Sequence, residues 1–459
     1  MLQKIRSFLS SPQYYYAFGL WILLWDLLSA DSAAKYGVNL MLGAIGVMVS
    51  VGVIGVVLFL TDDLSPALFS VLAITLLAAR LYNSFVMFTQ TIAWVTFPMG
   101  SVCAVGFLYF LFKNRKPISI GKSFWGIVAV TVAVTLGGLG KLPWSHYFSA
   151  IYYVIFLGVG MLFIYLVLRS QFAAQAKNGV DIRRRFALMF TVLGGLTVLM
   201  SLRSFVWDLP QILQDMAVPD WKFRNNYSSM LMIAFPAPLY FAKKHRAFVL
   251  LSAGMYLSML ILGSRGGLML GTVEFFLCLV FLTVADKKYR WVYGSIVLVC
   301  IAAGVLASGL VLQYFSSRTG GGLISSGEQR ARLLLRSFED FKNAPIFGQG
   351  LGYRGNYDIY HPKMGAMAWY HMMLPQIYAG LGCVGILAYG YQAVQRFWMT
   401  AKSKSWENWV LYLCFFGLVL MAQVNPGEVV PIPSEVIAVS VFILIEIAEE
   451  NREHATKQE

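Results

Sequence analysis

Six arginines and two histidines stand where an apolar chain has least reason to keep them. They are Arg224, Arg265, Arg330, Arg332, Arg336 and Arg354, with His361 and His371. A guanidinium is planar and permanently charged, so such a set points to an anionic ligand. An imidazole with an ordinary pKa near 6.5 suits general-base work, and His371 is the better placed of the two. Asn225 and Asn226 beside Arg224 add neutral donors and acceptors. There is no Asp-x-Asp in these segments, and Glu339 and Asp340 are helix neighbours whose side chains must diverge. The pattern therefore predicts metal-independent chemistry with no cofactor.

What positions these residues follows from composition. The chain is 58% hydrophobic and 13% charged, with mean hydropathy +0.66, and its apolar residues fall into blocks of bilayer-spanning length. The fold class this predicts is all-α: one polytopic membrane bundle over 1–459, with about 12–14 transmembrane helices. Fourteen apolar segments can be drawn, from Tyr14–Ala30 to Val436–Ile447. The five cysteines all lie inside apolar blocks, so no disulfide framework is implied.

Loop charge orients the segments. With the N-terminus in the cytoplasm, 22 of the 36 Lys and Arg fall on inner loops, including "KNRK", "RRR", "KKHR" and "DKKYR". Of the 14 outside, seven belong to the one long loop 313–369, which the positive-inside rule largely ignores. Both termini are then cytoplasmic, and the net charge of +14 answers anionic lipid headgroups, not nucleic acid. The outer face holds the arginines named above, against the rule, in "DWKFRNN", "GSRGG" and the long loop. For Arg265 the bland reading is an interfacial anchor, since Gly263, Gly266 and Gly267 make a tight corner without it. Arg224 sharing its depth favours a ligand.

The long loop contains one amphipathic helix, taken to lie on the membrane surface. Ser325-x-x-Glu328 reads as a capping box opening it, and Leu334, Phe338 and Phe341 make its apolar stripe. Pro345 stops it. Gly348, Gly350 and Gly352 then read as a flexible, backbone-exposed turn. Glu328 faces Arg332 and Arg336 faces Asp340 at i,i+4, which default to surface ion pairs. Arg330 has no acidic neighbour at such spacing and is the better anion ligand.

In this order the pieces resemble the O-antigen ligase and polymerase family. "FRNNYSSMLMIAFPAPLY" looks like the family's Asn-rich segment, and "LGSRGGLMLG" is similar to its Ser-Arg-Gly corner. "RARLLLRSFEDFKNAPIFGQGLG" resembles its Arg, amphipathic helix, Pro and alternating glycines. "HMMLPQIYAGLGCVG" resembles its His-led span. The resemblance covers 221–385, about a third of the chain. Met372 follows His371 where the family commonly has Asn, and fourteen segments stand against about twelve spans in described ligases.

The resemblance implies a glycosyltransferase at the outer face of a bacterial plasma membrane, building cell-surface polysaccharide or lipopolysaccharide. Its donor is a polyprenyl-pyrophosphate-linked glycan and its acceptor a hydroxyl. Arg224, Arg265 and Arg330 would hold pyrophosphate, with Arg332, Arg354, Asn225 and Asn226 as secondary contacts, and His371 would take the acceptor proton. A ligase uses a lipid-anchored core sugar or a protein as acceptor, whereas a polymerase uses another lipid-linked repeat. A transporter of lipid-linked glycan needs ionisable residues near the midplane of several spans. Only Asp26 and Glu274 are expected there, away from the candidate site. A receptor or scaffold would account for the long loop but not for the Arg265 corner.

Overall fold

The computed structural model describes residues 2–30, 39–81, 93–141, 153–215, 221, 223–299, 301–302, 322–351, 370, 372–424 and 434–458. Among them the fold is all-α, with no strand. Every one of the fourteen apolar segments overlaps a helix. Among the described residues five helices are long and apolar enough to cross a membrane: Met41–Leu60, Val154–Lys177, Ile182–Trp207, Arg265–Ala285 and Met373–Ser403. Large apolar side chains stay exposed along these helices, Leu387 at 72% for example. Helices apolar on every face need lipid as their solvent.

The chain divides into two compact units, 1–117 with 174–275 and 118–173 with 276–459. The first begins with α1 (Leu2–Leu9), α2 (Gln13–Leu28), α3 (Leu40–Leu60), α4 (Ser65–Leu81) and α5 (Ala93–Lys113). Between them, α6 (Phe124–Leu136) and α7 (Gly160–Lys177, preceded by a π turn Val154–Val159) belong mostly to the second unit. The first unit resumes with α8 (Ile182–Trp207), α9 (Leu209–Asp215), α10 (Arg224–Ala234), α11 (Leu239–Ala242), α12 (Ala247–Leu262) and the start of α13 (Arg265–Ala285). The second unit ends with α14 (Arg290–Val299), α15 (Gly322–Asn343), α16 (Met373–Ser403), α17 (Trp406–Met421) and α18 (Val436–Gln458).

In the first unit α8 is the axis, packing on α2, α4, α10 and α12. Asp181 starts it, its carboxylate accepting from the Arg184 amide at 3.0 Å. That end is basic and tied together. Asp63 holds Arg185 and accepts from Gln175 at 2.8 Å, and Lys113 reaches Asp62 at 2.9 Å. The loops "RRR" and "KKHR", predicted to share one side, meet here around a common cavity.

In the second unit α16 packs on α6, α15, α17 and α18. The apolar run of α18 ends on a buried cluster. Glu446 accepts from the Ser123 amide and hydroxyl, both at 2.9 Å, and from Tyr165 at 3.0 Å. Arg169 lies 3.5 Å away and also holds Glu450. Near the other end of that run Arg396 pairs with Glu435 at 3.2 Å while lying over the rings of Phe415 and Phe442. Sequence reading placed neither pair inside the bundle: Arg169, Arg396 and Glu435 stand just beyond apolar runs, and Glu446 falls at the last turn of one.

Candidate functional site

The Arg265 corner is built by three residues with separate jobs. Gly263 adopts φ 63°, ψ 18°, the left-handed turn that ends α12. Ser264 opens α13, its carbonyl accepting from Leu268 at 2.8 Å and its hydroxyl from the Gly267 amide at 3.3 Å. Arg265 is then the first residue of α13. Gly267 serves close packing: a Cβ there would sit 2.6 Å from the Ser228 Cβ on α10.

Alongside lies the start of α10, and its first residue is Arg224. The Ser264 hydroxyl donates to the Asn225 side-chain oxygen at 3.2 Å, so the two motifs meet. Arg224, Asn225 and Arg265 are half-buried and Asn226 is exposed. Two helix N-termini, each opening on an arginine, therefore stand side by side. A helix N-terminus carries positive partial charge and unpaired amides, so a cation there costs about 0.3–1 kcal/mol in local electrostatics. An anion facing the pair reverses that sign, drawn by both guanidinium groups and by the positive ends of both helix dipoles.

Behind this face is a buried charge cluster that the sequence reading put elsewhere. Asp26, fully buried near the end of α2, is 2.9 Å from the Nε of Arg80 and 3.9 Å from that of Arg203. Arg80 also donates to the Ser204 hydroxyl at 2.6 Å. The guanidinium of Arg80 lies 5.2 Å from the ring centre of Phe223, the residue before Arg224, and Arg203 lies 5.3 Å from that of Trp207. Phe223 is stacked on Trp221, whose indole nitrogen donates to Asp208 at 2.7 Å, and packs on Tyr227. Asp26 is thus not away from the candidate site; its cluster supports the segment that presents Arg224. The three residues lie far apart in sequence. Their one shared signal is position, each near the predicted outer end of its span.

In the second unit the long-loop helix departs from expectation at both ends. It begins at Gly322, so Ser325 lies inside it and does not cap it. Its buried side is Leu333, Ser337 and Asp340, while Leu334 and Phe338 are 38% and 49% exposed. Phe338 stacks on Tyr378 of α16 at 5.4 Å and Phe341 meets the same ring edge-on. Arg332 pairs with Glu328 at 2.5 Å as expected, whereas Arg336 lies 3.7 Å from Glu339. Glu339 and Asp340 do diverge, one 70% exposed and the other buried. Arg330 is exposed and reaches the Val424 carbonyl at 3.5 Å, at the end of α17.

Gly348 and Gly350 are buried, not a flexible, exposed turn, and Gly352 lies outside the described residues. Helix α16 is interrupted at Gly382 (φ 63°, ψ −156°), which frees backbone groups on either side. The segment 345–350 pairs with all of them that matter. Gln349 and Gly350 amides donate to the Ala379 and Gly380 carbonyls, both at 2.8 Å. Cys383 and Val384 amides donate back to Pro345 and Ile346, at 2.8 and 3.2 Å. Gly348 (φ 67°) has no room for a Cβ, because the Gly380–Leu381 backbone occupies it. Close backbone approach, not flexibility, is what these glycines supply.

His371, Arg354 and His361 lie outside the described residues. The neighbours of His371 are anchored. The Tyr370 hydroxyl donates to Asp340 at 2.5 Å and its amide to Gln376 at 3.1 Å, while the Met373 amide donates to Ala422 at 2.8 Å. Among the described residues no three His, Cys, Asp or Glu side chains converge. The structure thus joins Arg224, Asn225 and Arg265 in the first unit and places Arg330 and Arg332 on α15 of the second. Comparison with protein-family models, curated proteins and solved structures finds no match for this chain.

Proposed function

We propose that this membrane protein is an O-antigen ligase-like glycosyltransferase. It moves a polyprenyl-pyrophosphate-linked glycan to an acceptor hydroxyl at the outer face of a bacterial plasma membrane, with both termini in the cytoplasm. The observation that carries this reading is the pair of arginine-led helix N-termini held together by Asn225 and Ser264.

In the reaction the acceptor oxygen bonds to the anomeric carbon as that carbon's bond to phosphate oxygen breaks. The acceptor proton passes to His371 and the electron pair leaves with polyprenyl pyrophosphate. Charge on the leaving group grows through the transition state, so fixed cations already aimed at it lower the barrier. Arg224 and Arg265 take that role in the first unit. An inverting single displacement needs no covalent glycosyl-enzyme. Arg265→Ala is expected to abolish transfer with expression intact, and Arg265→Lys to recover little, because a point charge does not replace a bidentate fork. Full activity in Arg265→Ala would make this arginine an anchor and remove the reading's main support.

A second reading, transport of the same lipid-linked glycan, is favoured by the interrupted α16 and the buried Arg396–Glu435 pair. The pairing of the freed α16 backbone with 345–350 weighs against it, since those groups are not open to a ligand. Polymerase and ligase differ only in acceptor, and following polyprenyl pyrophosphate release with each acceptor offered separately distinguishes them.

A further inference from the structure

At the basic end of the first unit a cavity of about 1210 Å³ opens between α2, α8 and α11–α12. Its mouth stands at the helix ends opposite those that carry the arginine-led corner, and it has no part in the transfer chemistry. Its walls are apolar, among them Leu20, Leu23, Leu188, Leu196, Leu251 and Met255. Its mouth carries Arg184, Arg185, Lys244 and His245, with Asp181 as the acidic residue there.

The charges at the mouth do not cancel. Arg185 is taken up by Asp63. The Asp181 carboxylate is engaged by the Arg184 amide at 3.0 Å and the Tyr240 hydroxyl at 3.5 Å. Arg184 and Lys244 have no acidic partner among the described residues. Two cations, Arg184 and Lys244, outnumber the one carboxylate, Asp181, at the mouth of an apolar trough. From Arg184 to Leu199 along α8 is roughly 22 Å at 1.5 Å per residue. One leaflet of a bilayer, headgroups included, is about 20–22 Å deep. Charge, polarity order and depth all match a single lipid standing in its own leaflet.

We infer that this trough is a binding site for one anionic glycerophospholipid of the surrounding membrane, its phosphate between Arg184 and Lys244 and an acyl chain along α8. The loop charges place that leaflet at the cytoplasm, where basic pockets between helices select anionic headgroups. Gly195 supplies an internal handle. It lines the trough and a Cβ there meets nothing within 4 Å, so Gly195→Leu projects its side chain into the acyl path from an unobstructed Cβ. Gly254, also with open space at its Cβ but not lining the trough, is the matched control.

The test uses the full chain, purified in neutral detergent and stripped of lipid. Binding of phosphatidylglycerol, phosphatidylcholine, a polyprenyl phosphate and inorganic phosphate is measured by native mass spectrometry and by thermal shift. Phosphatidylglycerol should bind one per chain, at least tenfold tighter than phosphatidylcholine. Gly195→Leu and the pair Arg184→Gln, Lys244→Gln should each lose at least tenfold, and Gly254→Leu should match the parent. Equal binding of the two phospholipids overturns the inference, as does wild-type binding by Gly195→Leu. A response to inorganic phosphate equal to that of lipid would make it a free-anion site. Preference for polyprenyl phosphate, or a stoichiometric polypeptide released on stripping, would assign another occupant and overturn it too.

Discussion

Replacing Gly348 with alanine tests how the second unit holds its interrupted helix together. At φ 67° an alanine costs about 1–2 kcal/mol in backbone strain alone. The added methyl also falls on the Gly380–Leu381 backbone, which has no rotamer to yield. Such overpacking costs roughly 1–3 kcal/mol more. The sum, about 2–5 kcal/mol, corresponds to a fall of roughly 4–20 °C at 2–4 °C per kcal/mol for a unit of this size. Gly390→Ala is the control, on the same helix, with nothing within 4 Å of its Cβ. There alanine should be neutral or stabilise by up to about 1 kcal/mol, as in any exposed helix interior. Tryptophan fluorescence during heating in detergent reads both variants. If Gly348→Ala melts with Gly390→Ala, the 345–350 segment is not seated in the break and the close-approach argument fails.

Asp26→Asn should destabilise the first unit by about 3–5 kcal/mol, because Arg80 and Arg203 keep their buried charge without its partner; chemical denaturation of the variant and parent measures this, and a loss under about 1 kcal/mol would refute it. Gly267→Ala should push α13 from Ser228 and lower donor affinity several-fold. Ser228→Gly in the same chain should restore it, and a failure of rescue by a folded double variant would show that the contact does not set the corner. Tyr370→Phe removes a charge-assisted hydrogen bond to Asp340 worth about 1.5–3 kcal/mol. Since it neighbours His371, turnover should fall while KM for donor stays, and steady-state kinetics with both substrates varied shows whether it does.

The helices were legible because bilayer length imposes a gross periodicity that single residues cannot disguise. The Arg265 corner was legible in part: Gly263 is a local turn signal and makes the turn, whereas Gly267, read with it, serves packing and the part Ser264 plays went unread. What escaped was set by packing between distant segments. Asp26, Arg80 and Arg203 share no local pattern, and a buried carboxylate looks the same in sequence whether alone or paired. Gly348 and Gly350 illustrate an ambiguity of another kind. Alternating glycines mark either freedom or crowding, and only the Ala379–Gly382 backbone shows which. Ser325-x-x-Glu328 fits a capping box and also fits a helix interior, where the serine simply costs a little propensity. The comparison of Leu334 with Leu333 makes the same point about phase: one residue's rotation decides which leucine is buried.

The central claim is tested most directly by following polyprenyl pyrophosphate release from purified protein in detergent with EDTA present. A polyprenyl-pyrophosphate-linked oligosaccharide is the donor, and core lipid and a second lipid-linked glycan are offered separately as acceptors. Release that needs one acceptor, and is lost in Arg224→Ala and Arg265→Ala, is the predicted result, and the acceptor used names ligase or polymerase. Donor binding without release from either acceptor would contradict the transferase and leave the chain a carrier of that lipid.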